Sequence, residues 1–167
     1  GGVLRYISEA GANVVAVPTV DDMIYNKDGL DVKALFKARR KSGDKAVSGY
    51  ENARHMKPGQ LYGLPVDVLI PGARPYLINR KNVDAIKAKV ISSIANIPIT
   101  NEAEDILFKK GVLSVPDFIS NSGGVILGVV DVLGGKVEDV FKVVNNYIGP
   151  IATSILKEAR QQNINPR

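Results

Sequence analysis

The apolar residues of this chain fall into short blocks that alternate between a helical spacing and an unbroken run. Val3, Leu4 and Ile7 recur at helical spacing over residues 3–10, and Gly11 follows as a natural helix stop. Residues 13–17 are a continuous apolar strand broken by Pro18. Residues 19–29 read as a loop, with turn chemistry in Asp21, Asp22 and the stretch 26–29. Asp31 then caps a helix whose apolar face is Val32, Leu35 and Phe36. Residues 42–65 are the least regular section and predict a surface loop with room for a short helix. Three further strands are predicted at 66–70, 89–93 and 112–115, separated by helices over 83–88, capped by Asn82, and after Thr100. The last third is helical: an apolar block at 125–133, a break at Gly134 and Gly135, and an amphipathic stretch at 137–160 that Pro150 should kink or split.

Short apolar strands alternating with helices predict an α/β fold, Rossmann-like and doubly wound, with a mostly parallel sheet buried on both faces. Right-handed crossovers are the default. The first residues already read as the inside of a helix without a cap, which predicts that the first strand and phosphate loop of such a fold are missing or truncated.

Composition narrows the functional classes. The 167 residues suffice for one domain with a core, and 45% apolar with 23% charged residues is a globular balance. There is no Cys, so disulfide, thiolate and Cys-metal chemistry are excluded. No apolar run approaches the roughly 18 residues that span a bilayer, and no signal peptide is visible. A cytoplasmic protein with no membrane partner is expected. The net charge of +5 comes from Lys and Arg scattered among acids. Its densest run, residues 37–41, sits in the last turn of a helix, where cations complement the dipole; nucleic acid is therefore not expected as a partner. His55 has no Cys, second His or acid pair beside it in sequence, so it reads as exposed or structural, and no metal site is expected.

Candidate chemistry lies where the strands end. Pro71, Gly72 and Ala73 follow one strand; Ala95 and Asn96 follow the next; Asn121, Ser122, Gly123, Gly124 and Val125 follow the Pro116, Asp117, Phe118 strand end. Small residues let backbone approach a ligand closely, and Asn offers both a donor and an acceptor. A plain tight turn accounts for 71–73 equally simply, as a turn before Pro98 does for Asn96. A glycine-rich helix start does the same for 121–125.

In their order and spacing these segments resemble the cofactor domain of the glutamate/leucine/phenylalanine/valine dehydrogenases, over nearly the whole chain. The resemblance implies that residues 1–167 are a single, partial dinucleotide-binding domain and that the family's substrate and oligomerisation domain is absent. It implies NAD or NADP as cofactor, and an amino acid and its 2-oxo acid as substrates of the full-length parent, a homo-oligomer. Gly1 or Gly2 corresponds to the last glycine of the phosphate fingerprint, and Pro18 and Thr19 to the ribose-selecting strand end. Gly72 and Ala73 line the dinucleotide path, and Ala95 and Asn96 lie near the nicotinamide ribose. Asn121 is placed near the carboxamide and the substrate α-carbon, and Gly124, Val125 and Gly128 on the substrate side. The family's catalytic Lys and Asp belong to the other domain, so no catalytic residue is assigned and this chain alone is expected to be inactive.

Departures from the pattern shape the alternatives. Thr19 replaces an acid that would exclude a 2′-phosphate, yet no Arg adjoins it in sequence. Ser93 stands where an acid is usual, Ile97 where Gly is usual, and Gly128 where glutamate enzymes carry Ser; Arg74 and Pro75 also replace commoner residues. The apolar run 126–130 favours an apolar amino acid, while overall similarity over 66–161 is closer to archaeal-type glutamate enzymes. A non-catalytic nucleotide-binding or regulatory relative is the rival reading.

Overall fold

A computed structural model describes residues 2–167, which divide into two compact units, Gly1–Leu61 and Tyr62–Arg167. Gly1 lies outside the described residues.

The first unit opens with helix α1 (Gly2–Glu9), ended at Gly11 in the left-handed region (φ +86°) as expected. Strands β1 (Ala16–Pro18), β2 (Met23–Tyr25) and β3 (Arg54–Met56) form an antiparallel sheet in that order. Val17 pairs with Ile24, and Ile24 with His55. The sequence predicts a loop over 19–29, and the structure instead places β2 there. The apolar triplet Met23, Ile24, Tyr25 is too short to register as a run, but a tight turn from Thr19 to Asp22 folds it back on β1. The pairing continues through Asn26 N–H to Val15 C=O (2.9 Å) and Leu30 N–H to Val14 C=O (2.8 Å). Helix α2 (Val32–Ser42) starts where expected, with Asp31 Oδ1 accepting from Ala34 N–H at 2.9 Å. Helix α3 (Lys45–Ser48) follows. Val14, Ile24, Leu30, Val32, Leu35 and Val47 form this unit's core.

The second unit holds the parallel sheet that the alternating pattern predicts: β4 (Val68–Leu69), β5 (Val90–Ser92) and β6 (Leu113–Val115), adjacent in that order. Burial alternates rather than covering both faces. Leu69 and Ile91 are buried, whereas Val68 is 49% exposed. Helix α4 (Asn101–Lys109) joins β5 to β6 and presses Ala103 and Leu107 into the core with Ile78, Val83 and Ile99. Thr100 caps it through Ala103 N–H (3.4 Å).

The helix predicted over 83–88 shortens to one 3₁₀ turn at Val83–Ala85. Asn82 does not cap it, because its amide is spent on Leu77 C=O and Asn79 N–H. Carbonyls that a longer helix would have used internally are taken by Lys110 Nζ, 3.3 Å from Val83 O, 3.0 Å from Asp84 O and 3.1 Å from Ile86 O. Beyond β6 come α5 (Asp117–Ser120), α6 (Gly123–Val132) and α7 (Val137–Val143). A π turn at Val144–Ile148 then leads into α8 (Gly149–Gln162). Pro150 splits the last amphipathic stretch as predicted: it sits in the first turn of α8, where its missing N–H costs least.

Candidate functional site

In the second unit the loops after the three parallel strands converge. Leaving β4, Pro71 C=O accepts from Ile94 N–H (3.0 Å) and from Ser93 Oγ (2.9 Å). Ser93 is 1% exposed, and its Oγ also accepts from Ala95 N–H at 3.1 Å. This accounts for Ser at a position where the resemblance leads one to expect an acid. A hydroxyl both donates and accepts, whereas an ionised carboxylate only accepts and could not donate to Pro71 C=O. Gly72 is constrained by the same loop. A Cβ there would stand 2.4 Å from Ile94 Cγ1, so the glycine lets the loop pack under the half-exposed Ile94 side chain, which would otherwise have to move; Ala73 beside it is exposed.

Asn121, just beyond α5, reaches back to the β5 loop. Its Nδ2 donates to Ala95 C=O (3.1 Å) and to Asn96 Oδ1 (2.6 Å), while Ser120 Oγ donates to Ser93 C=O (2.6 Å). The two amides form a clasp that joins the loop after β5 to the start of the last helical third. Among the described residues the clasp leaves Asn121 Oδ1 as a spare acceptor and Asn96 Nδ2 as a spare donor at a solvent-facing site.

Behind the clasp lies a group of residues that sequence reasoning did not assign. Ile97 sits in the left-handed region (φ +46°). Its N–H donates to Asp117 Oδ2 (2.8 Å), and its C=O accepts from Tyr76 N–H (2.8 Å), itself at φ +53°. Asp117 is buried, and its Oδ1 lies 2.8 Å from Arg167 Nη1 as an ion pair without hydrogen-bond alignment. The same guanidinium donates to buried Glu104 Oε1 at 3.1 Å. Burial holds the Glu104 carboxyl above its ordinary range, and Arg167 pulls it back. Asp117 was legible as part of the Pro-Asp-Phe strand end; Arg167, fifty positions later, carried no local signal.

Helix α6 brings Gly124, Val125 and Gly128 after the clasp. A Cβ built at Gly123, Gly124 or Gly128 meets nothing within 4 Å, so no packing among the described residues demands glycine there. Val125 is largely exposed.

In the first unit, Pro18 and Thr19 line a cavity of about 200 Å³ with Leu4, Phe36, Arg39 and Asp44 among its walls. Gly2 is exposed at the start of α1 and is not among the lining residues. Thr19 is fixed by its turn: its N–H and Oγ1 both donate to Asp22 C=O (2.7 and 3.0 Å). The sequence shows no Arg next to Thr19, and folding supplies one through Arg39 of α2. That cation is paired with Asp44 at 3.8 Å, so the cavity holds one charge of each sign.

Asp22 is also the partner of His55. His55 Nδ1 lies 2.6 Å from Asp22 Oδ2, and Nε2 lies 2.9 Å from Tyr50 C=O. Both partners only accept, so together they favour the doubly protonated ring. The Asp22 bond, the larger influence, raises the His55 pKa above its ordinary 6.5 and lowers that of Asp22 below 3.8. Among the described residues no group of three or more His, Cys, Asp or Glu is placed to hold a metal ion.

The sequence pattern of the Glutamate/Leucine/Phenylalanine/Valine dehydrogenase family matches residues 2–167. The chain belongs to that family. It is 40% identical over 127 residues to the glutamate dehydrogenase of Aeropyrum pernix, covering 76% of this chain and 30% of that dehydrogenase. The hetero-hexameric glutamate dehydrogenase of Thermus thermophilus, in its Leu-bound form, superposes with a TM-score of 0.80 at 25% identity, over 99% of this chain and 40% of that one. The L-tryptophan dehydrogenase of Nostoc punctiforme gives 0.64 at 26% identity, over 83% of this chain and 39% of its own. The likeness to archaeal glutamate enzymes, the α/β Rossmann-like fold and the link to NAD(P)-dependent oxidoreductases thus stand. This family member spans about a third of the curated relative's length. No helix among its described residues is long and apolar enough to cross a membrane.

Proposed function

We propose that residues 1–167 form one partial domain that binds NAD or NADP within an L-amino-acid dehydrogenase. The full-length enzyme deaminates glutamate oxidatively to its 2-oxo acid and ammonia. The observation that carries this reading is the Asn96–Asn121 clasp at the carboxyl ends of parallel strands, where open α/β sheets take their ligands. Its spare donor and acceptor suit a ribose edge or a carboxamide. Glycines at 123, 124 and 128 without a packing reason leave room for a ligand beside α6. When bound, the nicotinamide supplies the hydride chemistry, and the protein supplies position. Asn121 orients the carboxamide, Asn96 and Ala95 hold the ribose side, and Gly124, Val125 and Gly128 face the substrate. Gly72 and Ala73 keep the dinucleotide path open, and Pro18 and Thr19, with Gly1 or Gly2, serve the adenosine and phosphate side. In the cavity beside Thr19, Arg39 attracts a 2′-phosphate and Asp44 repels it, so neither cofactor is favoured strongly.

The parent is a cytoplasmic homo-oligomer in this reading, and the chain alone binds without turnover because the proton-transfer residues lie elsewhere. An apolar amino acid is the second substrate reading, favoured by the run Ile126, Leu127, Gly128, Val129, Val130, which offers no group to a distal carboxylate. The test is reductive amination by the full-length protein with 2-oxoglutarate or 4-methyl-2-oxopentanoate, each with NADH and NADPH, followed by nicotinamide absorbance. Turnover of 2-oxoglutarate is expected. Turnover of only the branched acid selects the second substrate reading. Folded protein that binds dinucleotide yet turns over neither acid is a non-catalytic relative.

A further inference from the structure

An isoleucine at φ +46° is strained, because its branched Cβ crowds its own carbonyl. Ile97 also precedes Pro98, which pushes a residue toward extended backbone. Such a conformation persists only where its surroundings over-determine it. Here the surroundings are few and identifiable. Tyr76 N–H engages the Ile97 carbonyl at 2.8 Å, and Asp117 Oδ2 engages the Ile97 amide at 2.8 Å. Pro98 is fully buried and anchors the chain on the far side. Asn96, the residue immediately before, carries the acceptor that holds Asn121. The backbone angle at Ile97 therefore sets where the clasp stands.

Asp117 holds that angle through an Oδ2 aimed at the Ile97 amide, and it is buried beside a second buried acid, Glu104. One guanidinium serves both: Arg167 Nη1 is 2.8 Å from Asp117 Oδ1 and 3.1 Å from Glu104 Oε1. The Arg167 side chain is only 28% exposed and both carboxylates are buried, so solvent screens the pair weakly. Without that cation, two buried carboxyls would face each other uncompensated, and Asp117 would lose the partner that fixes its side chain against the Ile97 amide.

We propose that Arg167 is a positioning residue for the clasp, acting through the Asp117 carboxylate on the Ile97 amide and so on Asn96 and Asn121. Its importance for cofactor affinity rests on the functional reading above; its effect on Ile97 does not.

The experiment compares the 167-residue chain with Arg167→Met and Arg167→Lys by ¹H–¹⁵N NMR at pH 7, with NADH and NADPH titrated into each. In Arg167→Met the Ile97 amide proton and the Asn121 side-chain amide should shift, and Ile97 exchange should quicken by roughly ten-fold as a charge-assisted bond weakens. Arg167→Lys, which keeps the cation, should move the same signals far less. Dinucleotide affinity should fall roughly ten-fold in the Met variant, and the fall should shrink when Ile97→Gly removes the strain. Unchanged Ile97 and Asn121 signals alongside a lower melting temperature would overturn the proposal and leave Arg167 a purely structural anchor. If the parent chain binds neither dinucleotide, the functional reading fails while the Ile97 signal still decides the positioning role. If Arg167→Met does not fold, the Lys variant decides: an Ile97 amide moved as far as in Asp117→Asn overturns the proposal, and one close to the parent chain supports it.

Discussion

At Ile97 the backbone keeps a conformation that suits glycine while the side chain is β-branched. The left-handed region costs an L-residue about 1–2 kcal/mol, and a glycine gives back about 0.5–1 kcal/mol through its freer unfolded chain. Relief of strain wins narrowly, so Ile97→Gly should be more stable than Ile97→Ala by about 1 kcal/mol, read from urea midpoints at constant m. Equal midpoints would contradict a left-handed Ile97. Asp117→Ala should be far more damaging, by about 3 kcal/mol, because it strands the Ile97 amide and leaves Arg167 and Glu104 with an altered balance of buried charge. Residues of this kind separate what sequence shows from what it hides. Asn96 and Asn121 announced themselves as amides at strand ends. The reason for Ile97 became visible only once Asp117 and Arg167 were in contact, because a three-dimensional ion pair leaves no periodic trace.

Among the elements, α6 is the one whose sequence and packing disagree most. Gly124 and Gly128 each weaken a helix by roughly 0.5–1 kcal/mol relative to Ala, and none of the described residues occupies the space above them. Gly124→Ala and Gly128→Ala should therefore raise the melting temperature while weakening dinucleotide or substrate binding in the full-length protein, a trade expected where glycine serves a ligand. Stabilisation with intact binding would remove α6 from the site. The antiparallel element β1–β2–β3 carries its own switch. The His55 pKa is raised, so its contribution is full below 6.5 and fades as pH climbs through the raised value. The Asp22 pKa is depressed, so its share is present above 3.8 and is lost as pH falls through the lowered value. The melting-temperature difference between the parent chain and His55→Gln should accordingly be largest between pH 3.8 and 6.5 and shrink as pH rises through the raised His55 pKa. The parallel strands β4, β5 and β6 were legible because apolar runs between helices admit few other folds. The β2 strand was not, since three apolar residues amid Asp, Asn and Gly carry no period, and its partners lie across a turn and thirty residues away.

At the scale of the molecule, cofactor choice in the proposed reading is a balance between two side chains on one cavity wall. Asp44→Asn should raise the preference for NADPH over NADH several-fold, and Arg39→Ala should lower it, as single charges near a phosphate do; initial rates of the full-length enzyme with each cofactor check both signs. The sequence held both residues but placed them in a solvated helix end and a loop, with nothing to say that folding brings them to Thr19. The apolar surface of the last third has a practical result as well. Val132 and Leu133 are 86% and 78% exposed, and α6 carries a single charge, Asp131. Mutual repulsion between copies of the isolated chain then rests on its net charge of +5, whose reach shrinks from roughly 30 Å at 0.01 M salt to roughly 8 Å at 0.15 M. Its second virial coefficient, from static light scattering, should turn from positive to negative over that range, so the purified chain keeps best in dilute buffer and precipitates early as ammonium sulfate is added.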